Sequence, residues 1–120
     1  MATQSVKPSA VPGWHGRAFS MTEHNIQADI KSLIVKRGGL VIRTNAGKVR
    51  KNVAMADPGC PDLIACFHGR FVGIEVKDTG KTAKDNQVEF GQKIVDAGGV
   101  YIVADSVEKA SAALDRILEA

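Results

Sequence analysis

Beyond about residue 20 the apolar positions fall into blocks whose spacing switches between helical and extended. Ile26, Ile30, Leu33 and Ile34 recur every three or four residues, which predicts a helix that begins after Ser20 and stops at Gly38-Gly39. Leu40 to Thr44 ("LVIRT") is a β-branched apolar run and predicts a strand. The stretch from Asn45 to Pro61 is polar and glycine-bearing and predicts a long loop, of the kind that is functional or mobile in a compact domain. "LIACF" (Leu63 to Phe67) and "FVGIEVK" (Phe71 to Lys77) predict two strands, and the short His68-Gly69-Arg70 connection makes them a hairpin.

Thr82 is the expected cap of a second helix running to about Ala97, with Val88, Ile94 and Val95 inward and Gly98-Gly99 as its stop. "VYIVA" (Val100 to Ala104) predicts a fourth strand. Ser106 is expected to cap a last helix that carries Val107, Ala110, Leu114, Ile117 and Leu118 on one face. The order α-β-β-β-α-β-α predicts an α/β domain over residues 21–120, a mixed four-stranded sheet flanked by helices. Residues 1–20 hold two of the four prolines and no periodicity, and read as a flexible arm that Trp14 could dock on the body.

Within this pattern two acids stand in apolar runs. Asp62 opens one strand and Glu75 lies between Ile74 and Val76 in the next, followed by Lys77. An ionised side chain in a buried strand is costly unless it is paired. A two-residue turn at His68-Gly69 pairs Phe67 with Arg70, and counting outward sets Asp62 opposite Glu75, with Cβ atoms about 4.5–5.5 Å apart. A three-residue turn would shift this register by one. Lys77, two residues on, shares the face of Glu75, while Ile74 and Val76 turn to the core.

Two like charges about 4 Å apart repel by around 4 kcal/mol at an effective dielectric near 20. Lys77 offers one counter-charge and a divalent cation offers more, since carboxylates, a backbone carbonyl and waters are the hard ligands of Mg²⁺ or Mn²⁺. The alternative is a surface ion cluster of Glu75, Lys77 and Asp62 at a sheet edge.

Composition narrows the classes. The chain has 120 residues, 44% hydrophobic and 24% charged, as in an ordinary single soluble domain. It has no apolar run of the ~20 residues a membrane span needs and no signal-like start, so a cytoplasmic protein is expected. Cys60 and Cys66 make neither a disulfide framework nor a zinc knuckle, and read as reduced core or loop residues. Few aromatics argue against base stacking. The net charge of +3 is modest, but Arg43, Lys48, Arg50 and Lys51 cluster without an intervening acid. That cluster is either solvated surface or a phosphate-contacting loop.

"GCPDLI" followed by "GIEVK" resembles the PD-(D/E)XK nuclease signature, with Pro61-Asp62 and Glu75-Val76-Lys77 as its halves. The finer pattern is similar to the VRR-NUC family of virus-type replication and repair nucleases: Thr22-Glu23 at the first helix, Arg43-Thr44-Asn45 ending the first strand, "PDLI", "GRFVGIEVK" and Gln87. The resemblance spans about residues 21–104 and implies a restriction-endonuclease-like fold.

It further implies that Asp62, Glu75 and the Val76 carbonyl hold Mg²⁺ or Mn²⁺, with Lys77 acting on the attacking water. Glu23 would be an outer metal ligand; the competing reading makes Ser20 and Glu23 a capping box. Gln87 could hydrogen-bond the active-site lysine, a water or a phosphate, or be an ordinary exposed helix residue. Arg43, Asn45, Lys48, Arg50 and Lys51 would contact DNA.

The expected activity is metal-dependent cleavage of branched or flap DNA, such as Holliday junctions in repair. Two-strand cutting favours a homodimer, through the Ala-rich flank of the last helix or the arm near Trp14. The rival readings are an inactive nucleic-acid-binding module on the same fold and a small partner-binding α/β protein. His24 and His68 read as helix-surface and turn residues, and Asp57, before Pro58, as a turn residue.

Overall fold

The computed structural model describes residues 22–44, 49–50, 53–54 and 57–120, with the backbone alone at 49–50 and 53–54. The expectations for the arm (1–20), for Asn45, Lys48 and Lys51, and for the Arg50 side chain therefore lie outside the described residues.

The elements are α1 (Glu23–Lys36), β1 (Leu40–Arg43), β2 (Val49–Arg50), β3 (Val53–Ala54), β4 (Leu63–Phe67), β5 (Arg70–Val76), α2 (Asp85–Asp96), β6 (Val100–Ala104) and α3 (Val107–Glu119). The main sheet has the order β1-β4-β5-β6. β1, β4 and β5 pair antiparallel and β6 runs parallel to β5, so the sheet is mixed as expected. The stretch read as one long loop carries a small addition: β2 and β3 pair Arg50 with Val53 in a two-stranded ribbon.

The His68-Gly69 turn is the two-residue form, and Phe67 does pair with Arg70. Both turn residues have positive φ, 50° and 81°, the mark of the type I′ turn whose twist suits a hairpin. That turn sets the register on which the site depends.

One face of the sheet carries the main core. Ile26, Ile30 and Ile34 of α1 and Ala110 and Leu114 of α3 pack on Leu63, Ala65, Phe67, Val72, Ile74 and Val76. α2 lies on the opposite face and approaches very closely. Gly91 admits the Tyr101 ring where a Cβ would collide with it, and Ile94 and Pro61 fill the space a Cβ at Gly73 would take.

The helix boundaries correct several expectations. Thr22, not Ser20, is the cap of α1, its hydroxyl accepting from the Asn25 amide at 3.3 Å. Glu23 is therefore the first helical residue and not the third, so the capping-box role falls away. α2 begins at Asp85 after Lys84, not at a Thr82 cap. Val88 and Val95 are exposed rather than inward, because α2 buries only a narrow stripe at Gly91 and Ile94. Leu118, near the end of α3, is likewise exposed. Cys60 is buried, but Cys66 is an exposed strand residue rather than a core or loop one.

Candidate active site

β4 and β5 converge where the apolar alternation is broken by acids. Leu63 pairs with Ile74, so the next pair outward is Asp62 with Glu75. Leu63 and Ile74 turn to the main core; Glu75, one residue on, turns to the α2 face. There the Asp62 carboxylate comes within hydrogen-bonding reach of Glu75. Asp62 is held through both its side chain and its backbone. Its Oδ2 accepts from the Val76 amide at 2.9 Å, and its own carbonyl accepts from the Thr44 amide at 2.9 Å. The Thr44 hydroxyl reaches the Pro61 carbonyl at 2.6 Å, which ties the end of β1 to the Pro61-Asp62 step.

Glu75 is only 1% exposed and Lys77 7%. The Lys77 Nζ lies 3.5 Å from Glu75 Oε2, and the same oxygen accepts from Gln87 Nε2 at 3.0 Å. Gln87 has no freedom to flip, because its Oε1 accepts from the Lys84 amide at 2.7 Å at the start of α2. This glutamine thus joins the first turn of α2 to the buried carboxylate; of the partners expected for it, neither lysine nor a free surface is what it meets. Glu75 Oε1 has no hydrogen-bond partner among the described residues. Burial first, and Asp62 second, raise the Glu75 carboxyl to about 8, against the lowering effect of Lys77.

Glu23 points into the same electrostatic environment. Burial and then the Asp62 charge raise its pKa, while Lys77 and Lys84 pull the other way. Its amide is held by Asp78 Oδ1 at 2.6 Å, a carboxylate at a helix N-terminus. Even so, no three His, Cys, Asp or Glu side chains gather as a metal-holding group among the described residues. Glu23 is near the pair rather than joined to it.

The residues present fit a hard cation. Two carboxylates face each other with a lysine on one of them, and a buried oxygen of Glu75 has no partner among the described residues, a costly arrangement unless something positive takes it. Asp62 faces Glu75 across the hairpin, Lys77 lies beside Glu75, and Gln87 reaches the group through Glu75 rather than through the lysine. Arg43 is exposed at the end of the edge strand β1. His24 and His68 are exposed, and Asp57 begins a turn, its carbonyl accepting from the Cys60 amide at 3.1 Å.

Asp78 is near the site in sequence, but its hold on α1 was not legible there, and neither was the presence of Tyr101. Asp78 acts on α1, 55 positions away in sequence. The Tyr101 hydroxyl is buried with no partner among the described residues, and burial, then the Glu75 and Asp62 charges, push it up to about 12. Neither has a local sequence signal, since both depend on which helix crosses the sheet.

Comparison with solved structures finds a chain titled "VRR_NUC domain" at 23% identity and a TM-score of 0.56. The alignment covers 82% of this chain and 97% of that one. The two share a fold, α/β and restriction-endonuclease-like. No protein-family model matches the sequence, and no curated protein matches it.

Proposed function

We propose that this fold carries a nuclease of the VRR-NUC type, which hydrolyses phosphodiester bonds in DNA with Mg²⁺ or Mn²⁺. The observation that carries the reading is Glu75: buried, facing Asp62, with Lys77 and Gln87 on one oxygen and no hydrogen-bond partner on the other among the described residues. Asp62, Glu75 and the Val76 carbonyl would hold the cation, with Glu23 as an outer ligand. When bound, such an ion polarises a phosphate oxygen and lowers the pKa of a coordinated water.

The chain's own residues supply the rest. Lys77 is buried beside Glu75, where its ammonium orients the attacking water and offsets charge that develops on the phosphate. Gln87 keeps Glu75 turned toward Asp62 by donating to Oε2 while its own oxygen stays on the Lys84 amide. The Val76 amide fixes the Asp62 rotamer. Water attacks phosphorus, the bond to the 3′ oxygen breaks, and the products carry a 5′-phosphate and a 3′-hydroxyl.

Arg43 and the following basic stretch, Asn45, Lys48, Arg50 and Lys51, would hold the DNA backbone. Branched or flap DNA is the proposed substrate, Holliday junctions included, with a homodimer acting in DNA repair in the cytoplasm of a bacterium or phage-infected cell. Cleavage of linear, flap, forked and four-way DNA, each with Mg²⁺, Mn²⁺ or a chelator, tests this. Metal-dependent cutting of at least one branched substrate is expected. The absence of cutting on every DNA, with metal binding intact, would leave the inactive binding module as the better reading.

A further inference from the structure

Two side-chain atoms are buried with no hydrogen-bond partner among the described residues, Glu75 Oε1 and the Tyr101 hydroxyl. They belong to one layer. In the parallel pair of β5 and β6, Tyr101 lies beside Gly73 and Val103 beside Glu75. The period of two turns Gly73, Glu75 and Tyr101 to the α2 face. Glu75 and Tyr101 are then diagonal neighbours, with Cβ atoms about 7–8 Å apart, a span that long side chains bridge. Burial aside, the Glu75 charge acts on this phenol most, and the Asp62 charge next.

α2 closes the layer with a single stripe. Gln87 donates to Glu75 Oε2, and Gly91, four residues along the helix, stands over the Tyr101 ring. A Cβ on Gly91 would collide with that ring, so glycine holds a mid-helix position where alanine is the better helix former. Packing accounts for the ring but not for its oxygen, since phenylalanine would fill the same space. A buried hydroxyl without a partner is destabilising. Glu75 Oε1, in the same layer, has the matching need.

We infer that Tyr101 is a positioning residue for Glu75: its hydroxyl holds one bridging water that bonds Oε1, opposite the bond from Gln87 to Oε2. No direct bond joins the two atoms, and a bridging water is nearly as good as one. The phenol both donates and accepts, so the link serves either form of the carboxyl. A carboxylate oxygen has two lone pairs, so Oε1 can take this water and a cation together. Loss of a partner behind a metal-holding side chain costs about 10–100-fold in metal affinity or activity. That consequence rests on the nuclease reading; the link between Tyr101 and Glu75 does not.

Tyr101→Phe tests the link, because it keeps the ring under Gly91 and removes only the oxygen. Urea unfolding of the metal-free full chain should give a lower midpoint for this variant than for wild type. In a Glu75→Leu background, where the acceptor is gone, the same change should leave the midpoint level or raise it. Titration calorimetry with Mn²⁺ should show affinity about 10–100-fold weaker in Tyr101→Phe than in wild type. Far-ultraviolet circular dichroism should be the same in both. The two readouts are independent, so a background that does not fold leaves the Mn²⁺ comparison to decide.

A midpoint that stays level or rises in Tyr101→Phe overturns the inference, because an unpartnered hydroxyl would behave that way. An equal fall in the leucine background overturns it too, since the hydroxyl would then bond some other group. Wild-type Mn²⁺ affinity in Tyr101→Phe shows that the oxygen does not position Glu75. If wild-type protein binds no Mn²⁺, or binds it and cuts no DNA, the nuclease reading fails and the urea comparison alone keeps or overturns the link.

Discussion

Glu75 keeps one carboxylate oxygen in the protein interior with no partner among the described residues, while the other takes both Gln87 and Lys77. Two predictions follow at the scale of single residues. Lys77→Ala should lower the cleavage rate constant by about 100- to 10,000-fold, the range that a positioned proton-transfer group contributes. DNA affinity should change little, so single-turnover cleavage and binding measured side by side will separate the two; cutting near the wild-type rate would remove Lys77 from the mechanism.

The second concerns pH. Glu75 holds its proton to about 8 in the folded chain, well above its ordinary value. Folding therefore takes up a proton between those limits, so the stability associated with Glu75 is present at low pH and is lost as pH rises through about 8. Metal-free protein should melt at lower temperature at pH 9 than at pH 6. Glu75→Gln should flatten this fall and also remove stabilisation by Mn²⁺. Equal slopes in the two proteins would show that Glu75 titrates as an ordinary carboxyl.

Among the elements, α2 has the tightest fit. Its buried stripe is a glycine under an aromatic ring, and its first turn carries Gln87 to the carboxylate. Gly91→Ala must push α2 off β6 or displace Tyr101. Overpacking of this kind costs about 1–3 kcal/mol. Because Gln87 moves with the helix, cleavage should fall further than stability alone explains, in kcat more than in KM. Chemical denaturation and steady-state kinetics on the same variant check this, and a normal kcat would mean that α2 can shift without disturbing Glu75.

The end of β1 is tied as firmly as the start of α2. Thr44 bonds both the Pro61 and Asp62 carbonyls, so the edge strand holds the turn that presents Asp62. The helix ends show why local signals misled. Ser20 and Thr82 are good capping residue types, yet the caps lie at Thr22 and Lys84. A cap is selected by where the helix must begin to meet the sheet, and a hydroxyl two residues away cannot compete with that packing.

At the scale of the whole molecule, metal and DNA binding test the proposed site. A cation that binds only the folded chain stabilises it by about 2.7 kcal/mol at a hundredfold excess over Kd. Mg²⁺ or Mn²⁺ should therefore raise Tm, and Asp62→Asn should abolish most of the rise; an unchanged melting curve at millimolar metal would exclude the site. Each phosphate contact adds about 0.9 to the slope of log affinity against log salt. Neutralising Lys48, Arg50 and Lys51 together should reduce that slope by roughly two to three. Filter binding or anisotropy over a salt series measures it, and an unaltered slope would return this stretch to plain solvated surface.

The sequence by itself determined the order of the helices and main-sheet strands, and left the hairpin two registers, of which the two-residue turn sets Asp62 opposite Glu75 with Lys77 on the same side. These are short-range matters: a turn of two residues sets which positions face each other, and the period of two sets their side. Only the tertiary structure decided the hairpin register, what Gln87 bonds, that Asp78 holds α1, and that Val88 and Val95 face outward. All but the first depend on where a helix lies across the sheet, which close contacts such as Gly91 against Tyr101 and Gly73 against Ile94 select. Apolar spacing shows that a helix has a buried face; the direction of that face, and how much of the sheet it covers, is settled by the packing of parts far apart in the chain.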